Sequence, residues 1–84
     1  MSTIYYIVMK KKTELTSKFG LKVKMERTKR GLTQEQLAER ANLNHKSICA
    51  IEKGLTTPSI ETVNDIAKAF GITLLELMDV DNFN

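Results

Sequence analysis

The stretch Gln34–Lys53, QEQLAERANLNHKSICAIEK, constrains this chain most. It divides into two short helices joined by a tight turn. Thr33 stands as an N-cap and Gln36 follows three residues later, the capping-box spacing. Leu37, Ala38 and Ala41 fall on one inner face of a first helix. The turn is Asn42-Leu43-Asn44. Asn42 tolerates a left-handed backbone better than most residues. Leu43 is apolar within a polar turn, which suits a plug in the angle between two helices. Asn44 caps a second helix with Ile48 and Ile51 on its inner face. Gly54 follows where a left-handed closing residue is preferred.

The outer face of that second helix carries His45, Lys46, Cys49, Ala50 and Lys53. These side chains are small, polar or basic, and none is acidic. An apolar inner face with a neutral-to-basic outer face suits insertion into the major groove of DNA. The segment resembles the Cro/repressor-type helix-turn-helix of the XRE family. Gln34, Leu37, Ala38, Ala41, Leu43, Ile48, Ile51, Glu52 and Gly54 carry the resemblance. The turn position that is most often glycine in that family is Asn42 here. The likeness extends over roughly residues 19–78 and implies an all-α, five-helix DNA-binding domain.

Eighty-four residues make one small domain, with 42% hydrophobic and 27% charged residues, ordinary for a globular protein. The single cysteine, Cys49, excludes an internal disulfide and a cysteine-cluster zinc site, so no metal and no cofactor are expected. The longest apolar run, Ile4–Met9, is too short to span a membrane, and its lysines follow rather than precede it. A cytoplasmic setting is the simplest expectation. The charge is divided. Residues 1–54 carry 12 Lys/Arg against 5 Asp/Glu, and residues 55–84 carry 1 against 5. Such asymmetry suits one side facing a polyanion and another turned away.

Residues 2–12, STIYYIVMKKK, hold strand formers and no breaker. Two readings stand for residues 1–15. One is an extension with a second start at Met9. The other is a short β-strand that pairs with another copy through Tyr5 and Ile7, because a lone strand needs a partner. The domain proper is then residues 16–84. Its first helix is expected from about Thr16 or Ser17 to Lys29 or Arg30, with Phe19 and Val23 inward and Gly31 ending it. Gly20 lowers helix propensity there, although Phe-Gly is familiar at this point in the family. The family usually has an apolar residue where this chain has Glu26. The resemblance also implies an ion pair between Arg27 and Glu52. After Gly54, Thr56, Thr57 and Pro58 form a loop. Ser59 caps a helix with Ile60, Val63, Ile66, Ala67 and Phe70 at helical spacing, ended by Gly71. Thr73 and Glu76 repeat the capping box for a fifth helix, Leu74 to Met78. That helix is apolar on more than one side, so Leu75 and Met78 are candidate dimer contacts.

Carried over position by position, the family's base contacts fall on Asn44, His45, Lys46, Cys49 and Ala50, with Lys53 further along. Lys46 has the reach for guanine O6/N7. Cys49 and Ala50 are short and offer apolar contact, for example to a thymine methyl. Gln34, at a helix N-terminus, is placed for a phosphate, with Lys53, Thr56 and Thr57 as a second phosphate cluster.

The expected function is a DNA-binding transcriptional regulator, a homodimer on a palindromic operator in double-stranded DNA. The alternative is an antitoxin that binds a toxin and autoregulates its promoter. An enzyme is not expected. The chain has one histidine, one cysteine, no glycine-rich phosphate loop and no ligand cluster.

Overall fold

In the computed structural model, residues 3–81 are described, with side chains over 14–81. Five helices follow in order: α1 (Thr3–Lys29), α2 (Gln34–Ala41), α3 (His45–Glu52), α4 (Ile60–Phe70) and α5 (Leu74–Met78). There is no strand among the described residues. The expected strand over Tyr5–Met9 is therefore corrected: its backbone is the opening of α1. The side chains of Tyr5 and Ile7 lie outside the described ones. The first helix also begins well before Thr16.

Backbone hydrogen bonding explains both differences. A strand here has no neighbour to complete its ladder, whereas a helix satisfies its own N–H and C=O groups. Extending a formed helix adds a bond per residue without a second nucleation. No Pro or Gly interrupts residues 3–19. The strand preference of Tyr, Ile and Val is weak and depends on packing that a lone segment lacks.

The shorter helices need their caps and their burial. At eight residues, α2 and α3 are too short to persist alone. Thr33 accepts from the Gln36 N–H at 3.0 Å, and the Gln36 side chain accepts from the Thr33 N–H at 2.9 Å. Thr73 and Glu76 repeat this reciprocal pair at α5, while Asn44 and Ser59 cap α3 and α4 by accepting from the Ser47 and Thr62 N–H groups. A cap of this kind stabilises a helix by about 1 kcal/mol.

Burial supplies more. Val23, Leu37, Ile48, Ile51, Ile66 and Leu77 are the largest fully buried side chains, and every helix contributes at least one. Each contributes about 1.5–3 kcal/mol on leaving water. Leu32 and Val80, outside the helices, complete the core, and Leu43 packs against it from the α2–α3 turn. Ile60, expected inward, is instead 54% exposed at the start of α4. In α5, Leu77 fills the core while Leu75 is 80% exposed and Met78 is 48% exposed.

One close approach sets how α1 lies on α3. A Cβ at Gly20 would overlap the carbonyl oxygen of Ile51 and reach within 2.9 Å of that of Glu52. Helix α1 can therefore rest on the last turn of α3 only where it has no side chain.

Candidate nucleic-acid interface

The turn between α2 and α3 has the geometry its residues dictate. Asn42 adopts φ 57°, ψ 42°, the one non-glycine residue with positive φ among those described. Its reversal lets the Leu43 N–H return to the Ala38 carbonyl at 2.8 Å. Asn44 is extended, and its Oδ1 accepts from the Ser47 N–H at 2.8 Å. The capping bond occupies that oxygen and leaves the Asn44 amide NH2 for an external acceptor.

The inner end of α3 is held electrostatically. Arg27 Nε donates to Glu52 Oε2 at 2.6 Å, and Nη2 donates to Oε1 at 3.1 Å. Arg27 Nη1 donates to the Leu32 carbonyl at 2.7 Å. The Glu52 side chain is only 3% exposed and that of Arg27 15%. Hydrogen bonding to Glu52 raises the Arg27 pKa further, against the opposing effect of burial. A forked guanidinium–carboxylate pair fixes orientation as well as distance.

From Glu52 the network continues outward. Gln34 Nε2 donates to Glu52 Oε1 at 3.0 Å. Gln34 Oε1 accepts from the Cys49 thiol at 2.9 Å and lies 3.1 Å from His45 Nε2. Glu35 Oε1 lies 3.0 Å from the same His45 nitrogen. Gln34, His45 and Cys49 thus form one cluster between the start of α2 and the outer face of α3.

The other expected contact residues divide. Asn44, Lys46 and Ala50 line a shallow cleft with Ser47, and Thr56, Pro58 and Thr62 form its far wall. Lys46 and Lys53 are exposed. Thr57 is turned elsewhere: its hydroxyl lies 3.3 Å from that of Thr16, beside an apolar hollow that includes Leu15, Phe19 and Val63. The only acidic residue of α3 is Glu52, which faces inward against Arg27. The outer face of α3 therefore keeps its basic and neutral character. It offers donors, acceptors and small apolar groups at a width that a major groove admits.

Two features escape the linear reading. Glu35 meets His45 because the α2 and α3 N-termini converge, and no sequence spacing reveals that. The second is Glu26, which is 5% exposed and surrounded by cations. Arg30 Nη1 lies 2.6 Å from its Oε1, Lys29 Nζ 3.6 Å, and Lys22 Nζ lies 3.4 Å from Oε2. Burial pushes the Glu26 carboxyl up, but the Arg30 hydrogen bond with the Lys29, Arg30 and Lys22 charges outweighs it and holds the pKa below its ordinary value. Arg30 also donates to the Phe70 carbonyl at 3.1 Å and stacks 4.9 Å from that ring, which ties α1 to the end of α4. The i, i+4, i+8 spacing of Lys22, Glu26 and Arg30 was the available signal.

Among the described residues, no group of three or more His, Cys, Asp or Glu side chains is placed to hold a metal ion. No helix among them is long and apolar enough to cross a membrane.

Known proteins resemble this chain in sequence and fold. Over 66 residues the chain is 33% identical to the cryptic phage CTXphi transcriptional repressor RstR of Vibrio cholerae, a match covering 79% of this chain and 60% of that protein. It is 43% identical over 53 residues to the immunity repressor protein of Bacillus phage phi105, covering 63% of this chain and 37% of that one. The chain thus spans less than two thirds of the length of either repressor. Among solved structures, the restriction-modification controller protein C.AhdI of Aeromonas hydrophila superposes with a TM-score of 0.72 at 33% identity, covering 76% of this chain and 96% of that one. The helix-turn-helix family model HTH_3 matches residues 23–77, from the last third of α1 to the buried leucine of α5. With its capped turn, buried inner faces and neutral-to-basic outer face, the chain belongs to the HTH_3, or XRE-type, helix-turn-helix family.

Proposed function

We propose that this chain is a sequence-specific transcriptional regulator that binds double-stranded DNA as a homodimer on a palindromic operator. The observation that carries this reading is the outer face of α3. Its one carboxylate is turned inward and neutralised by Arg27, while His45 and Lys46 remain exposed. The repressor and controller relatives support a regulatory role. Asn44, His45, Lys46, Cys49 and Ala50 are the base-reading side, with Gln34, Lys53 and Thr56 toward the phosphates. Thr57 is the weakest member, since its hydroxyl engages Thr16.

One recognition helix reads only a few base pairs, too few to select a site among genomic competitors. Two copies about a twofold axis double that information at half-sites one helical turn apart. Selection of bound sequences from a random duplex pool tests this. The expected outcome is an inverted repeat with half-site centres about 10 base pairs apart. Enrichment of a single asymmetric half-site removes the dimer, and enrichment of nothing removes sequence-specific binding.

A further inference from the structure

We infer that His45 reads DNA through Nδ1 alone, as a hydrogen-bond acceptor when neutral and a donor when protonated, so the preferred base at its position changes with pH. This rests on the DNA-binding reading above and deepens it.

The starting point is the buried pair behind the site. Both Glu52 oxygens accept from Arg27, so Glu52 presents only acceptors here. Gln34 lies 3.0 Å from Glu52 Oε1 and must present its NH2 group there. That settles which way round the amide stands. Its oxygen then faces α3, where it meets His45 Nε2 at 3.1 Å and the Cys49 thiol at 2.9 Å. An amide oxygen cannot donate. Glu35 Oε1, at 3.0 Å from the same ring nitrogen, cannot donate either while ionised. Two acceptors on one nitrogen require that Nε2 carry the proton. The thiol 3.3 Å from Nε2 gives its own proton to Gln34 and does not compete. The titratable groups facing the ring are thus Glu35 from α2 and Cys49 from α3, with Glu52 and Arg27 of α1 standing behind Gln34.

With Nε2–H committed inward, Nδ1 is the nitrogen left for a base edge. In the neutral ring it is a bare lone pair. That pairs with an exocyclic amine, N4 of cytosine or N6 of adenine, and repels guanine O6 and N7. In the protonated ring Nδ1–H donates, which favours guanine and opposes cytosine. The inward bonds are the same in both states, so the ring need not turn over to change what it reads.

The chain holds a single histidine, so its ring nitrogens are observed without assignment ambiguity. Long-range proton–nitrogen correlation spectra of the free, nitrogen-15-labelled protein at pH 8 are expected to show the proton on Nε2 and a bare Nδ1. A proton on Nδ1, or an even mixture, overturns the inference.

The second arm selects DNA at pH 8 and at pH 5.5. At one position in each half-site, cytosine or adenine is expected at pH 8 and guanine at pH 5.5, a change in relative preference of about five- to tenfold. His45→Ala should erase that change. The same base at both pH values overturns the inference while leaving specific binding intact. A chain that enriches no sequence at either pH overturns the DNA reading itself, and this one with it.

Discussion

Gly20 of α1 lies against the carbonyl oxygens of Ile51 and Glu52, in contact too close for any side chain at that position. The same last turn of α3 carries the carboxylate that Arg27 grips from two turns further along α1. Position 20 thus sets the separation of the two helices, and position 27 sets their register.

Replacing Gly20 with Ala tests the first. On helix propensity alone the change should stabilise α1 by about 1 kcal/mol. The overlap with backbone, which cannot swing aside as a side chain can, costs about 1–3 kcal/mol or more. Net destabilisation is expected, read as a lower denaturant midpoint. A higher midpoint would show that α1 does not lie this close to α3.

Arg27 and Glu52 test the second. Removing either partner leaves a buried group uncompensated and should cost about 3–5 kcal/mol. The double alanine variant should lose less than the sum of the singles, with a coupling energy of about 1–3 kcal/mol. Additive losses in the cycle would mean that the pair contributes nothing as a pair.

Glu26 makes stability depend on pH with a definite sign. Its carboxyl is held below the ordinary value of 4.5, so the folded state binds its proton less readily than the unfolded state does. Its contribution is therefore fully present above about pH 4.5 and lost as pH falls through the lowered value. Glu26→Gln should destabilise the protein at neutral pH by about 3 kcal/mol, because Lys22, Lys29 and Arg30 lose the carboxylate they share. The difference from the parent should shrink as the solution is acidified below pH 4.5. A difference that stays constant over that range would contradict the assignment.

What could be read from the chain was local. The caps at Thr33, Asn44, Ser59 and Thr73 need only a hydroxyl or amide a few residues before an N–H. All four form. The turn at Asn42 and the apolar faces of α2, α3 and α4 are equally short-range. Misreadings arose where the outcome depended on distant partners. Tyr5–Met9 favours a strand only if another strand lies beside it. Glu26 stands where the family usually has an apolar residue, and only the fold shows Lys22, Lys29 and Arg30 closing around it. Nor does any spacing reveal that the Gln34 amide is oriented by Glu52, eighteen positions away.

On DNA, two lysines should behave differently. Lys46 lines the cleft beside α3 with Asn44 and Ala50, at the N-terminal end of α3. Lys46→Ala should lower affinity for the operator by about 1–3 kcal/mol and relax specificity. Lys53, the C-cap of α3, should act on phosphate. Lys53→Ala should weaken binding to operator and random duplex alike and reduce the salt dependence of binding by about one ion. Fluorescence anisotropy across a salt series distinguishes the two. A Lys46→Ala protein with undiminished preference for the operator would move the base-reading face elsewhere.

The assembly is tested at α5. Leu75 is 80% exposed and Met78 48%, on a helix whose third leucine, Leu77, already fills the core. Apolar side chains that the fold does not need are a cost in water unless a partner covers them. A twofold contact here would bury both residues against their own copies. The recognition helices would then need to stand about 34–36 Å apart to enter successive turns of one DNA face. Equilibrium sedimentation of the full chain at ~50 μM should give the mass of two chains, as for any dimer with Kd near ~1 μM, about −8 kcal/mol. Leu75→Glu places two like charges across the axis and should weaken the dimer by at least about 2 kcal/mol, some thirtyfold. Its melting temperature at low concentration should hardly change, because the residue is outside the core. Operator affinity should fall in parallel with dimerisation, while binding of random duplex by single copies persists. A monomeric parent excludes the dimer. A Leu75→Glu protein that sediments as the parent does excludes α5 as its interface, and residues 1–15 then become the surface to truncate.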